Sequence, residues 1–354
     1  MIIINDFFVR YKEAVSNQME LLLKEFGGKI ISATRFMNQK AFEKEDRKDQ
    51  IYVYPPLVYY FVAIKEIVIH PNEIIHIFEE EPCLWKRILL NMSKNKVFIS
   101  MYRRPDEKYA KHIKKFHNLC KIFVELEAHK KILSQYGIEE DKIIVTPTPA
   151  KITRQFSTKE YKLSNINILF ASWNNKEGDA ITERGLRFLL ELLRDNLSFT
   201  LTIPLRDNDI VSFVKIAEEY GVWNRISLVD INNNIDKLTE LFENSNFVAF
   251  VPQKRIVKDV PNSLIDGLVR GKPAIISDII DFSDVVLNEK IGIVFKRGEK
   301  AGKLDISEQK YKELSLNAYK YSEKHIPQNY VQIISNEYKQ FLKERIDIIE
   351  NSNN

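Results

Sequence analysis

Val260-Pro261-Asn262-Ser263-Leu264-Ile265-Asp266-Gly267-Leu268-Val269-Arg270-Gly271-Lys272-Pro273-Ala274-Ile275-Ile276-Ser277-Asp278 contains a helix, its stop signal and a buried strand. Ser263 is placed to cap the helix, with Asp266 three residues on completing a capping box. Leu264, Ile265, Leu268 and Val269 supply an apolar face. Gly271 is suited to the left-handed conformation that ends a helix, and Pro273 stops it from continuing. The uncharged run Ala274–Ser277 then reads as a strand buried on both faces.

The same unit repeats in both directions from this stretch. Upstream and downstream of it, strands are expected at Ile166–Ala171, Thr200–Ile203, Ile226–Val229, Phe247–Val251 and Ile291–Phe295. Helical patterns fall near Thr182–Arg194, Asp209–Tyr220, Ile235–Asn244, Ser263–Arg270 and Glu308–Glu323. Nearer the N-terminus a second series places strands at Ile2–Ile4, Ile30–Ala33, Ile51–Tyr54, Ile74–Phe78, Val97–Ser100, Ile122–Val124 and Ile143–Thr146. Strands alternating with amphipathic helices argue for parallel sheets covered on both faces. Pro147-Thr148-Pro149 and the polar residues after it break the pattern and read as a linker. Pro327 opens a long helical stretch that runs to about Glu350. The expected division is therefore a first domain over residues 1–150, a linker over 151–165, a second domain over 166–326 and a final helix over 327–354. Ligands of such sheets bind outside the carboxyl ends of the strands, and a cleft between two domains is the default site.

Composition supports this reading and excludes others. The 354 residues are 44% hydrophobic and 29% charged, which is ordinary for globular proteins and rules out a collagen-like, rod-like or mostly disordered chain. The longest uncharged apolar run, Ile51–Ile64, contains Pro55-Pro56 and falls short of the roughly 20 residues a spanning helix needs. The first residues lack a basic segment and a cleavage site, and Cys83 and Cys120 are too few for a disulfide framework. A cytoplasmic protein is expected. The net charge of +4 lies in the first half, and Leu84–Lys121 alone holds eleven basic residues against Asp106 and Glu107. Two readings stand for this stretch. It is either a solvated helix face balanced by neighbours such as Glu79, Glu80 and Glu81, or a surface that gathers anions. The anion would be a phosphorylated acceptor or an anionic membrane, with nucleic acid not expected. The six histidines form no metal set: His112 and His117 are five apart and do not share a helix face as a zinc pair would. His76 reads as structural.

The stretch 260–278 also resembles the donor-binding segment of the retaining, metal-independent glycosyltransferases of family 4, which have the two-domain GT-B fold. Other segments resemble that family in the same order. Among them are Asn167–Ser172, Glu183-Arg184-Gly185-Leu186, Asp284-Val285-Val286, Gly292–Phe295, His76–Pro82 and Gln135–Val145. The resemblance spans most of residues 74–296. It implies an α/β chain of GT-B architecture, with two Rossmann-like doubly wound domains facing a central cleft. The first would hold the acceptor and the second a nucleotide-sugar, either a UDP- or a GDP-sugar. The co-substrate would be that sugar, with no obligatory cofactor and no metal.

The resemblance carries candidate residues with it. The family's paired glutamates, eight residues apart, correspond here to Lys258 and Asp266. The second position implies a hold on the nucleotide ribose. Lys258 reads either as a charge that offsets the departing diphosphate or as a loop lysine in water. Arg184 replaces the family's lysine before Gly185 and is expected in the first turn of a helix capped by Thr182. Helix starts and guanidinium groups both favour phosphate there, and Gly185 lets an anion approach; the other reading is an arginine paired with Glu183 or Glu177. Trp173 falls where the family has a diphosphate-binding arginine. Arg206, after a strand, is either its substitute or an exposed loop residue. Ser172, Asp230, Asn262 and Ser263 complete the implied donor set. On the acceptor side, Asn5-Asp6-Phe7-Phe8 stands where the family has a Gly-Gly loop, and Tyr102 where it has a histidine. Lys258, Glu80 and Tyr102 are candidate catalytic residues, and Glu79, Glu81, Arg103 and Arg104 candidate acceptor contacts. A carboxylate at a strand end can orient a hydroxyl or take its proton. Two rival expectations are a non-catalytic GT-B partner or scaffold, favoured by Lys258, and a nucleic-acid-binding protein built on the basic stretch.

Overall fold

The structure is a computed structural model. It describes all residues except 7–13, 34–49, 80–83, 157–163, 173–182, 206–209, 232–233, 256–257 and 353–354. The side chains of 14, 79, 210 and 342–352 are likewise outside the description. The chain divides into two units, Met1–Pro149 with Pro327–Asn354, and Ala150–Ile326.

The first unit opens with β1 (Ile2–Asn5), α1 (Ala14–Phe26), β2 (Lys29–Ala33), β3 (Ile51–Tyr54), α2 (Pro56–Ile69) and β4 (Ile74–Glu79). It continues with α3 (Leu84–Met92), β5 (Lys96–Met101), α4 (Glu107–Ile113), β6 (Leu119–Val124), α5 (Glu127–Gln135) and β7 (Ile143–Val145). The second unit runs β8 (Ile166–Leu169), α6 (Leu186–Asp195), β9 (Phe199–Leu205), α7 (Ile210–Glu219), β10 (Ile226–Asp230) and α8 (Ile235–Glu243). Then come β11 (Phe247–Phe250), α9 (Asn262–Leu268), β12 (Ala274–Ser277), α10 (Phe282–Asn288), β13 (Gly292–Phe295) and α11 (Glu308–Tyr321). The last helix, α12 (Pro327–Ser352), belongs to the first unit.

Among the described residues the strands form two sheets, ordered β3-β2-β1-β4-β5-β6-β7 and β10-β9-β8-β11-β12-β13. Every pairing is parallel. Each strand expected from the sequence is present. The order reverses between β1 and β4 in one sheet and between β8 and β11 in the other. At such a switch point the flanking loops part on opposite faces and leave a crevice at the strands' carboxyl ends.

Both faces of the first sheet are covered. Ile2, Ile4, Ile75, Ile77, Val97 and Ile99 pack under α2, α3, α4 and α5, through Tyr59, Ala63, Leu90, Tyr109 and Leu133. Their alternates Ile3, Phe78, Phe98 and Phe123 pack under α1 and α12, through Met19, Leu22, Tyr330, Ile334 and Tyr338. Period-two alternation sends neighbouring side chains to opposite faces, so these strands are apolar throughout. His76 is a polar exception, with Ser100 of β5 beside it. It is fully buried, with Nδ1 hydrogen-bonded to the Tyr338 hydroxyl and Nε2 2.8 Å from Ser100 Oγ. Burial lowers its pKa from 6.5 to about 3, so the ring is neutral and carries one donor and one acceptor nitrogen for its two hydroxyl partners.

Two glycines position the second unit's helices. Gly271 ends α9 in the left-handed conformation at φ +68°, and the Lys272 N–H reaches back to the Gly267 carbonyl at 2.9 Å. A Cβ at Gly267 itself would lie 2.5 Å from Val248 Cγ2, so α9 sits close on β11. Residues 151–156, read as linker, are bonded along the second unit. The Gln155 N–H donates to the Val269 carbonyl, and the Arg154 guanidinium lies 3.8 Å from the Tyr319 ring centre and donates to Ser322 Oγ.

Candidate functional site

The second unit's switch point gathers part of the donor set. Ser172 follows β8, and its Oγ lies 2.6 Å from Ser263 Oγ on α9. Its carbonyl accepts a 3.0 Å bond from Arg184 Nη1. Arg184 directly precedes Gly185, the cap residue of α6. Four residues from three sequence segments thus meet at the carboxyl end of β8. A guanidinium is a planar cation with its N–H donors in a fixed fork. The cluster therefore combines a planar cation with two hydroxyls beside the starts of two helices, which is chemistry suited to phosphate oxygens.

Local details depart from the sequence expectations. The helix expected from Thr182 begins at Leu186, so Arg184 lies before it rather than in its first turn; Thr182 is outside the described residues. Gly185 is also required by the backbone itself. It has φ +92°, and a Cβ there would lie 2.0 Å from the Val251 carbonyl oxygen, so the end of β11 abuts it. The capping box is not formed. Pro261 is the cap residue of α9. Ser263 lies within the helix and turns to Ser172. Asp266 is buried, and its Oδ1 accepts from the Lys151 N–H at 2.7 Å. The tertiary partners replace the local cap because they satisfy the same groups while joining distant segments.

Lys258 is half-buried in the loop after β11. That loop is pinned by residues the sequence reading missed. Arg255 Nη1 bonds both carboxylate oxygens of the buried Asp259, at 3.1 and 3.3 Å, and its Nη2 reaches Asp281 at 3.1 Å. Ser277 Oγ ties the end of β12 to the Pro252 carbonyl at 2.7 Å. The opposite charges of Arg255 and Asp259, four apart around Lys258, were the available signal. Asn262 is half-buried as the first residue of α9, and Asp230 is exposed as the last of β10. Trp173 and Arg206 lie outside the described residues.

In the first unit Tyr102 follows β5 and is buried in the core beneath α1 and α12. Arg103 is half-buried with Nη2 3.4 Å from Asp106, whose own carboxylate caps α4 through the Tyr109 N–H; Arg104 is exposed. Glu79 ends β4, while Glu80 and Glu81 lie outside the described residues. The first unit's switch point also holds a group that the sequence did not announce. Asp6, just after β1, forms an ion pair with the buried Lys86 Nζ at 2.8 Å and accepts a hydrogen bond from the Tyr59 hydroxyl at 3.1 Å. Lys86 is 1% exposed and therefore leaves the basic surface on which the sequence placed it.

No family model matches the chain, and no curated protein matches it. Solved structures do. HepE of Anabaena, in a complex with UDP, is 11% identical at a TM-score of 0.71, covering 96% of this chain and 99% of that one. A glycosyltransferase from Rickettsia africae is 16% identical at 0.66, covering 97% and 98%. Sucrose-phosphate synthase from Thermosynechococcus elongatus is 11% identical at 0.72, covering 97% and 99%. At these identities the likeness is one of fold, and it extends over almost the whole of each chain.

Proposed function

We propose, taking the GT-B fold as the premise, that the chain is a glycosyltransferase that moves a sugar from a nucleotide-sugar to a hydroxyl of a glycan or lipid-linked saccharide. The carrying observation is the cluster of Ser172, Arg184, Gly185 and Ser263 at the β8–β11 switch point. HepE has been crystallised with UDP-glucose, which makes a UDP-sugar the first donor to try, with a GDP-sugar second. In this reading the second unit holds the donor and the first unit the acceptor.

The chemistry rests on charge held in place before the reaction. As the glycosidic bond to the diphosphate breaks, negative charge grows on the leaving oxygen. Fixed donors aimed at that oxygen lower the barrier without reorganising. Arg184 and Lys258 supply cations, and the backbone N–H groups near Ile279–Ser283 supply dipoles. Arg255, Asp259 and Asp281 hold the loop that carries Lys258. Asp266 orients the ribose from its place beside Lys151. Arg103, Arg104 and Glu79–Glu81 serve the acceptor, while Tyr102, packed in the core beneath α1 and α12, only supports them. Transfer proceeds with retention at the anomeric carbon and needs no metal.

Incubation with UDP- and GDP-sugars and simple acceptor glycosides, in chelator, tests this reading, with the product anomer read by NMR. A product that keeps the donor's configuration is the expected result. Turnover only with added divalent ion, or an inverted product, contradicts the mechanism. Binding without turnover on any acceptor favours the non-catalytic scaffold suggested by Lys258 in the glutamate position.

A further inference from the structure

The first unit carries an apolar surface that the donor chemistry does not use. Helix α2 is apolar nearly all round, with Lys65 and Glu66 its only charged residues. Tyr59, Ala63 and Ile67 face the core. The opposite stripe, Leu57, Phe61, Ile64 and Val68, is exposed, with Leu57 and Phe61 each 74% accessible. Helix α3 repeats the arrangement. Its Leu90 is buried, while Leu84, Ile88 and Met92 are exposed, Met92 at 82%. The two helices are neighbours, joined by the Tyr60 and Trp85 rings 5.1 Å apart. Water-facing stripes on adjacent helices are a cost that a protein at rest in water does not need.

Basic residues stand at the edge of this surface. A pocket of about 500 Å³ is lined by Leu84 of the apolar stripe and by Arg87, Lys108, Lys111 and Lys115, against the single acid Glu107. Arg87 joins α3 to α4 through His112 at 3.4 Å. Other members of the basic stretch lie elsewhere: Lys86 is buried on Asp6, and Lys121 pairs with Glu337 of α12. Arg87, Lys108, Lys111 and Lys115 thus stand together in one pocket beside Leu84 of the apolar stripe.

We propose that the α2–α3 face docks on a membrane surface rich in anionic phospholipid. The apolar stripes enter the boundary between headgroups and acyl chains, Tyr60 and Trp85 sit at that boundary, and the pocket between α3 and α4 takes lipid phosphate. Helices that lie in the interface combine an apolar face with neighbouring Lys and Arg in this way. A second copy of the chain is a poorer occupant, since it would bring the same cations against themselves.

Sedimentation with vesicles tests the proposal, comparing pure phosphatidylcholine with vesicles holding about 30% phosphatidylglycerol. The full chain is expected to sediment with the anionic vesicles and to be released by salt. The exposed pair L57S/F61S is expected to weaken binding about tenfold. The pair K108E/K115E, chosen because it leaves the apolar stripes intact, is expected to abolish the preference for anionic lipid. Thermal melting checks that both variants remain folded. Failure to bind anionic vesicles overturns the proposal, as does binding that survives both variants. So does a dilution-sensitive dimer lost in L57S/F61S, which assigns the face to a second copy. Inorganic phosphate that competes for the pocket without any vesicle binding assigns it to a soluble ligand. None of these readouts depends on sugar transfer.

Discussion

Acidification should unfold the first unit through His76. The ring is fully buried, and burial lowers its pKa from 6.5 to about 3. The unfolded chain takes up a proton near pH 6.5, while the folded chain does not do so until about pH 3. Between those values the unfolded state binds more protons, so stability falls as pH falls. The contribution is fully present above pH 6.5 and is lost progressively down to the folded pKa. At about 1.36 kcal/mol per pH unit the whole window is worth roughly 5 kcal/mol, and the step from pH 6.5 to 4.5 about 3 kcal/mol. Urea unfolding at pH 7.0 and 4.5, followed by circular dichroism, measures the loss. The comparison is with His76→Asn, which keeps polar atoms for Ser100 and Tyr338 but does not titrate. The variant is expected to be less stable at pH 7.0 and to show about 2–3 kcal/mol less dependence on pH. Parallel pH profiles for the two proteins would refute the reasoning. If the two units melt separately, the effect belongs to the transition of the first.

Other substitutions test other parts of the structure. Gly185→Ala should destabilise the second unit by about 2–3 kcal/mol, because its φ is +92° and the new Cβ meets the Val251 carbonyl. Gly302→Ala, with open space around it, should change thermal stability by less than about 0.5 kcal/mol. Arg255→Ala removes a partner of the buried Asp259 and should cost about 1–3 kcal/mol in urea unfolding, with nucleotide affinity falling as the Lys258 loop loosens; unchanged affinity would separate that loop from the site. Asp6→Asn leaves Lys86 facing a neutral amide at a 1%-exposed position, and a melting loss confined to the first unit should follow.

The strands were legible because a parallel sheet covered on both faces needs short, continuous runs of Ile, Val and Phe, such as Ile2–Ile4 and Phe247–Val251. Their order followed from alternation with helices. Helix starts were less legible. Ser263 and Asp266 have the spacing of a capping box, but their partners, Ser172 and Lys151, are 91 and 115 residues away. Tertiary bonds of that range leave no local pattern. Arg184 was legible as a candidate, yet the helix begins at Leu186, three residues later than a cap at Thr182 implies. The pairing of Lys86 with Asp6 was hidden for the same reason: a lysine in a basic run reads as surface until its carboxylate is located. Helix α2 shows the opposite difficulty. A helix apolar on every side does not reveal by periodicity which side meets the core, so the exposed stripe of Leu57, Phe61, Ile64 and Val68 emerged only from the packing.

The most direct test of the central claim is a thermal-shift comparison of the protein and its Arg184→Ala variant with UDP, GDP, ADP, CMP and their sugar conjugates, in chelator. A ligand at 100 times its dissociation constant stabilises by about 2.7 kcal/mol, a shift of several degrees for a unit of this size. The account predicts a shift selective for one base, present in the native protein and lost in Arg184→Ala. No shift with any nucleotide, or an equal shift in both proteins, would contradict a donor site at the β8–β11 switch point.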